Sequence, residues 1–329
     1  MQFSPIQIGS LQLENPLILA PMAGITSLPF RRTMKSFGAS LVFTEMVSAN
    51  GLIRDGRRTL ELLRSCPEEE PLGIQLFGDD PEVLAQGAAM IADHGALLDI
   101  NMGCPVKKVI RSGAGSALLR EPARIGRIIE AVRRVYHGPL TIKIRSGWDR
   151  EERTYLEVGR IAREAGVDAI CLHPRSRSQG FGGQADWQQI TELKQSLDIP
   201  VLGSGDLFSA PDVVAMMKAT ACDGAMIARG SYGNPWIFRQ AAQLLQGLVP
   251  DEPSPTERWQ VARQQLYWHR DLFGEHKALL EMRKHLSWYV RGLDGASRFR
   301  SSLQQQSDWT QLLECCETFF ATEKRAEHA

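Results

Sequence analysis

Eight short apolar runs alternate with longer amphipathic segments through roughly the first two-thirds of the 329 residues, and that order predicts a (β/α)8 barrel. A doubly wound sheet would place a glycine fingerprint at the first strand–helix turn. The turn here is Pro21-Met22-Ala23-Gly24, which is no such fingerprint. The composition then changes near Gly247. Pro250-Asp251-Glu252-Pro253-Ser254-Pro255 puts three prolines in six residues and cannot continue a helix. The expected organisation is a catalytic barrel over residues 1–246, a linker over 247–255 and a small helical domain over 256–329.

Taken in order, the strands are expected at Leu17–Ala20, Leu41–Thr44, Gly73–Leu76, Leu97–Asn101, Thr141–Ile144, Ala169–Leu172, Pro200–Leu202 and Gly224–Ile227. Each is short, apolar and bounded by turn residues, as strands buried on both faces are. Helices are expected at Pro29–Phe37, Thr59–Arg64, Pro81–His94, Pro122–Tyr136, Thr154–Ala165, Trp187–Ser196 and Pro211–Ala219. Pro29, Pro81, Pro122 and Pro211 suit a first helical turn, and Gly38, Gly95 and Gly166 follow helix ends. Beyond the linker, helices are expected at Thr256–Phe273, Lys277–Leu293 and Trp309–Glu323, with an Arg- and Ser-containing turn before the last. No internal repeat is visible.

Lys+Arg and Asp+Glu both total 38, so no global charge declares a nucleic-acid partner and any basic surface must be local. The six cysteines (66, 104, 171, 222, 315 and 316) form no C-x-x-C pair, which argues against a zinc site and a disulfide scaffold. Met1 to Pro5 lacks the basic and apolar regions of a leader, and no run approaches a membrane span. A reduced, cytoplasmic, monomeric enzyme without a metal is the expectation.

The chemistry centres on Asp99-Ile100-Asn101-Met102-Gly103-Cys104-Pro105. Gly103 permits a sharp turn, and Pro105 biases Cys104 toward extended geometry, so a thiol is held on a stiff loop at a strand end. Most free cysteines are merely small buried hydrophobes, so the neighbouring strand ends matter. In such barrels the active site forms at those ends. Read in order they carry Pro21-Met22, Glu45, Gln75, Asn101 with Cys104, Lys143 with Arg145, His173 with Arg175, Ser204-Gly205-Asp206, and Ala228-Arg229-Gly230. Lys143 alternates with isoleucines in Thr141-Ile142-Lys143-Ile144-Arg145, so it and Arg145 share one face of a buried strand. An unpaired ammonium there is costly, and an anionic or electron-rich ligand would explain it. The loops after strands seven and eight, small and rich in free N–H groups, suit a phosphate cradle. Two further glycine clusters, Gly113-Ala114-Gly115 and Gly180–Ala185, sit outside a tight strand–turn–helix unit and read as loops.

With these residues in place, the chain resembles the tRNA-dihydrouridine synthases, closest to their bacterial B-type branch, through both predicted domains. The likeness is carried by Ala20-Pro21-Met22-Ala23-Gly24-Ile25-Thr26, by Asn101–Lys108 followed by Gly113–Leu119, by Lys143–Trp148 and by Met282–Tyr289. The resemblance implies FMN bound with Pro21, Met22 and Ala23 near the ring, and Gln75 on the pyrimidine edge. It also implies Lys143 and His173 beside N1 and O2, and Ser204, Gly205, Asp206, Ala228 and Arg229 on the phosphate. Cys104 falls on the family's proton donor, while Asn101, Arg145 and Glu45 fall where the family meets uracil or steadies the site. Arg175 is grouped with these as a substrate contact. NADPH is implied as reductant, although no dinucleotide motif stands out. Ser204 and Ala228 replace the Asn and Gly usual in the family, and Pro174 stands where glycine is common. Backbone N–H groups bind phosphate, so Ser and Ala can serve.

A helical wheel puts Met282, Leu286, Tyr289, Val290 and Leu293 on one face, and Lys284, Trp288 and Arg291 opposite. Between Arg258 and Arg300 there are nine Lys/Arg against four Asp/Glu, so tRNA is expected on this surface, with Trp288 exposed to stack on a base. The expected reaction is reduction of the uridine C5=C6 bond, hydride adding at C6 and Cys104 protonating C5. The alternatives are a flavoenzyme acting on a free pyrimidine or small enone, an RNA-binding protein that merely holds FMN, or dihydrouridine formation in ribosomal RNA. A small substrate needs no basic bundle, and binding alone needs no acid at Cys104.

Overall fold

The computed structural model describes residues 5–326, with side chains as far as Ala321. Positions 1–4 of the segment read as lacking a leader, and the end of the predicted helical domain at 327–329, lie outside the described residues. The eight predicted strands form one parallel sheet: β1 (Leu17–Leu19), β2 (Val42–Phe43), β3 (Leu72–Phe77), β4 (Leu97–Met102), β5 (Leu140–Arg145), β6 (Ala169–His173), β7 (Val201–Gly203) and β8 (Gly224–Ile227). β8 pairs with β1, and the two ends of the sheet meet at an Ile18–Leu41 bridge. There Leu19 N–H donates to Leu41 C=O at 2.9 Å and Ser40 N–H to Leu17 C=O at 2.8 Å, which closes the barrel. Helices cover the outside, so the outward side chains of the strands are apolar, while the middle strands carry polar residues on the alternate, inward positions.

Register decides what shares a level of the interior. Gln75, Asp99 and Thr141 are opposite one another on β3, β4 and β5. One level higher stand Asn101, Lys143 and Cys171, and above them Arg145 and His173. These side chains alternate with Ile100, Ile142, Ile144 and Leu172, which join the apolar layer under the helices.

An antiparallel hairpin, Ile6–Ile8 with Leu11–Leu13, lies outside the predicted elements. Its Ile6, Ile8 and Leu13 join Ile18, Leu41, Phe43, Leu97, Cys171, Leu202 and Met226 in one buried cluster, so it plugs the end of the barrel where the strands begin. Two strands of three residues carry too little alternation to stand out in sequence. The helix Trp236–Leu245 was also not among the predicted segments. Its buried Trp236, Ile237, Phe238, Gln240 and Ala241 fall on one broad helical face, so the signal was present and passed over.

Four helices follow Ser254, which caps the first through its hydroxyl: Pro255–Phe273, Glu275–Tyr289, Ala296–Leu303 and Trp309–Ala326. Ala296–Leu303 corrects the predicted turn. It buries Ala296, Phe299 and Leu303 at helical spacing between polar residues that dilute the pattern. The second helix ends at Tyr289 rather than Leu293, so Arg291 lies beyond its end. Met282, Leu286, Tyr289 and Val290 are buried in the bundle core as expected. Among the described residues no helix is long and apolar enough to cross a membrane.

The bundle packs on the barrel through Trp288, and this corrects the expectation of an exposed ring. Trp288 is half-buried and stacks on Tyr232, from the loop after β8, with centroids 4.2 Å apart and planes 15° from parallel. Gly233 makes the approach possible. Its φ is +63°, and a Cβ there would lie 2.4 Å from the Trp288 carbonyl carbon. Gly233→Ala is therefore expected to lower stability by about 2–4 kcal/mol, combining left-handed strain with a backbone clash. Denaturant unfolding checks this, and an unchanged midpoint would show that the junction yields freely.

Candidate active site

A cavity of about 360 Å³ opens where the strands end. Pro21, Met22 and Ala23 after β1, Asn101 on β4 and Cys104 after it, Lys143 and Arg145 on β5, and His173 on β6 all line it. So do Ser204, Gly205 and Asp206 after β7, and Ala228 and Arg229 after β8. Thus most of the predicted strand-end residues, drawn from seven loops and strands, converge on one space.

The Cys104 loop is pinned on both sides. Asn101 Oδ1 accepts the N–H groups of Gly103 at 3.3 Å and Cys104 at 3.0 Å. The Cys104 carbonyl accepts the Ser116 N–H at 3.1 Å and its hydroxyl at 3.0 Å. Gly115 supplies the required φ of +62°, and a Cβ there would come 2.8 Å from the Cys104 carbonyl oxygen. Burial pushes the Cys104 thiol up, against the opposing pull of the Val106 N–H, Arg145 and Lys143. It is protonated at neutral pH.

Lys143 is half-buried on the cavity wall, and its ammonium has no hydrogen-bond or ion-pair partner among the described residues. His173 is buried, and its pKa falls well below the ordinary value through burial and the nearby Lys143, Arg145, Arg175 and Arg229. Arg175 Nη1 lies 3.3 Å from His173 Nε2. A guanidinium can only donate, so Nε2 accepts and the proton of the neutral ring sits on Nδ1. Burial and its cationic neighbours lower the Arg145 pKa to about 10, which leaves it charged. Its Nε donates to Gly103 C=O at 3.0 Å and its Nη1 to the carbonyls of Ser176 and Gly180 at 3.0 and 2.8 Å. Arg145 therefore ties the Cys104 loop to the glycine-rich loop after β6.

Three predicted site residues of the barrel, and all three of the bundle, stand off the cavity wall. Arg175, grouped above with the substrate contacts, is 1% exposed and braces the site from behind, donating to Asp206 at 2.7 Å and to the carbonyls of Gly182 and Gly183. Gln75 is fully buried one level down, bonded to Asp99 and Asn101. Glu45 accepts the Gly24 N–H and lines a second cavity, of about 240 Å³, against the bundle. Lys284 Nζ donates to Gly24 C=O at 2.9 Å, so it also meets the loop after β1, while Arg291 is exposed.

The two late loops offer an anion what it needs. The backbone N–H groups of Gly205, Asp206, Arg229 and Gly230 donate to no group among the described residues. Asp206 does not spoil the cradle, because Arg175 and the Ala185 N–H hold its carboxylate, with Arg229 3.9 Å away. Ser204 turns its hydroxyl to Met226 C=O at 2.9 Å and leaves the cradle to the backbone. Unpaired N–H groups at one side and the unpaired Lys143 within the barrel fit a group with a phosphate at one end and an electron-rich ring at the other, as FMN has.

Sequence reasoning missed Phe181 and Phe208, which line the mouth and flank the Arg229 guanidinium at 4.3 and 5.0 Å from their ring centroids. Phe181 lies inside the cluster Gly180–Ala185 dismissed above as a loop. Its signal was an aromatic residue between glycines, where nothing local requires one. Asp99, named as part of the central stretch, carries a contact with Gln75 that the sequence could not show.

A family model described as dihydrouridine synthase matches residues 18–325. The chain is 38% identical over 317 residues to a tRNA-dihydrouridine synthase B of Pasteurella multocida, covering 96% of each. It is 37% identical to the one of Pseudomonas aeruginosa, covering 97% of this chain and 96% of the relative. In fold it is similar to a 2-naphthoyl-CoA reductase, with a TM-score of 0.56 and 13% identity over 75% of this chain and 52% of that one. An old yellow enzyme homologue from Zymomonas mobilis gives a TM-score of 0.52 and 9% identity over 78% of this chain and 96% of that one. The convergence of the Asn101–Cys104 loop, Lys143 and the late loops on one cavity thus agrees with the match along nearly the whole sequence, and the chain belongs to the dihydrouridine synthase family.

Proposed function

We propose that this chain reduces the C5=C6 bond of a uridine in tRNA, with FMN held in the barrel, NADPH as the source of reducing equivalents and Cys104 as the proton donor. The observation that carries the reading is a protonated thiol on a pinned loop, sharing one cavity with an unpaired lysine and two loops of unpaired N–H groups. FMN, when bound, supplies the hydride that no side chain can.

The chain's own residues do the rest. Gly205, Asp206, Arg229 and Gly230 would offer N–H groups to the phosphate of FMN, and Lys143 and neutral His173 would hold the polar edge of its ring. The C5=C6 bond of uracil is conjugated to the C4 carbonyl, so hydride addition at C6 sends an electron pair toward C5 and that oxygen. Cys104 holds the proton for C5, and the thiolate left behind regains one from solvent. Asn101 lines the cavity beside Cys104, where it can meet the base. Uracil in a folded RNA is stacked, so it must be turned out to enter.

The rim suits a polyanion. Lys107, Lys108 and Arg111, on the short helix after the Cys104 loop, are exposed and have no ion-pair or side-chain hydrogen-bond partner among the described residues. With Lys284 and Arg291 of the helical domain, they extend the basic surface across the barrel and the bundle. Trp288 contributes to that junction through packing. Lys107→Ala/Lys108→Ala is expected to weaken tRNA binding and reduce the log-affinity against log-salt slope by about 0.7–0.9 per lysine. Flavin reduction stays normal. An unchanged slope, measured by titration at several salt concentrations, would move RNA off this rim.

The test of the function is to map dihydrouridine in RNA from cells with and without the protein, and to measure flavin in the purified chain. Yellow protein with stoichiometric FMN, and loss of dihydrouridine from tRNA when the protein is absent, are expected. Colourless protein that cannot be reconstituted, or an unchanged dihydrouridine map, would overturn the reading. Loss from ribosomal RNA alone would replace the substrate.

A further inference from the structure

We propose that Asp99 is a positioning residue for the proton-transfer step, setting through Gln75 and Asn101 the orientation in which the Cys104 loop is held. This rests on the reading of Cys104 as the proton donor. Asp99 lies on β4, one interior level below Asn101, and is 1% exposed. Its Oδ1 accepts the Thr141 hydroxyl at 2.6 Å, and its Oδ2 accepts Gln75 Nε2–H at 2.6 Å. Gln75 Oε1 then accepts Asn101 Nδ2–H at 2.9 Å, and Asn101 Oδ1 accepts the Cys104 N–H at 3.0 Å.

The order of donors and acceptors along this chain is set at both ends, by the Gly103 and Cys104 N–H groups, which only donate, and by the buried Asp99 carboxylate. A carboxamide can present either its oxygen or its nitrogen to a neighbour, and two in series could both be reversed. An ionised carboxylate only accepts, so Gln75 must turn its nitrogen to Asp99 and its oxygen to Asn101. Asn101 is then left with its oxygen for the Cys104 loop. Reversal would set the Asn101 amide nitrogen against the Cys104 N–H, donor against donor. It would also set the Gln75 oxygen against the Asp99 carboxylate, and since Gln75 is fully buried and Asp99 1% exposed, water cannot repair that mismatch.

Asp99 is faced by the Lys143 ammonium from β5, which favours its charge, and by the Cys171 thiol of β6, itself pushed up to about 12 by burial. Burial raises Asp99 to about 6, so the carboxylate is charged at neutral pH and loses its charge as pH falls through that value.

The test compares FMN-loaded wild type with Asp99→Leu and Thr141→Val. Thr141→Val disturbs the same buried carboxylate without touching the branch to Gln75. Three quantities are read: flavin reduction by NADPH, single-turnover oxidation of the reduced enzyme by unmodified tRNA, and alkylation of Cys104 followed by mass spectrometry. In Asp99→Leu, the tRNA step is expected to slow roughly 10²-fold, the scale of a misplaced reacting group, and Cys104 to alkylate faster. FMN content and the NADPH step should stay near wild type, and Thr141→Val, assayed above neutral pH so that Asp99 keeps its charge without the Thr141 hydrogen bond, near wild type throughout. Equal losses in both variants, or an Asp99→Leu enzyme with a normal tRNA step and normal alkylation, would overturn the proposal.

If Asp99→Leu does not fold, the wild type decides. With cysteine nitrogen-15 labelling, the Cys104 amide resonance should follow the titration of Asp99 near pH 6, and a flat response overturns the proposal. Alkylation and the amide titration need no turnover. An enzyme that makes no dihydrouridine would therefore refute the proposed function while these two readouts still judge Asp99.

Discussion

Cys104→Ala is expected to slow uridine reduction by ~10²–10⁴ while keeping the fold, the FMN and flavin reduction by NADPH, because a general acid typically contributes that much. The loop is pinned through its backbone to Asn101 and Ser116, so losing Sγ leaves the hydrogen bonds of the loop in place. Single-turnover oxidation of the reduced variant by tRNA separates the two halves of the reaction. The pH dependence carries a sign as well. Burial raises the thiol pKa, so the proton is present at neutral pH and the wild-type rate falls as pH rises through the raised value. An alanine variant with wild-type turnover would return Cys104 to the small buried hydrophobes.

Lys143→Met should have the second largest effect. The side chain keeps its length and apolar stem but removes the unpaired charge from the cavity wall. Removing one preorganised electrostatic donor from a water-poor site costs about 10²–10³ in rate. Reduction of the flavin by NADPH is therefore expected to slow on that scale, with weaker retention of FMN on dilution. His173 cannot substitute, since its ring is neutral. Stopped-flow bleaching of the flavin absorbance measures the rate. Normal bleaching and normal retention together would remove Lys143 from the site.

The legible part of this protein is what repeats at short range. The eight strands are buried on both faces, and their apolar runs gave the strand positions within about two residues, the usual scatter of such boundaries. Gly224–Ile227 was read with the bounds it has. The site was legible because a barrel brings its strand ends together whatever the loops do, so Cys104, Lys143 and His173 could be placed in one space from their positions alone. The hairpin at Ile6–Leu13 and the helix Ala296–Leu303 were not legible. Each buries only three or four side chains, and its stability comes from the closed end of the barrel or the bundle it covers.

The sequence by itself determined the alternation on β5, and with it that Lys143 and Arg145 share a face. It also determined that Cys104 ends a strand on a stiff turn. What it left open is which groups those side chains find. Arg145 is spent on Gly103, 42 positions away, and on the loop after β6. Arg175, on the same strand end as His173, is turned behind the wall toward Asp206, 31 positions on. Trp288 has the spacing of an exposed residue and is covered by Tyr232 from the barrel. Side-chain periodicity follows from backbone geometry within one element. Partners follow from strand register and from how two separate cores meet, and those are set by contacts between residues far apart in the chain.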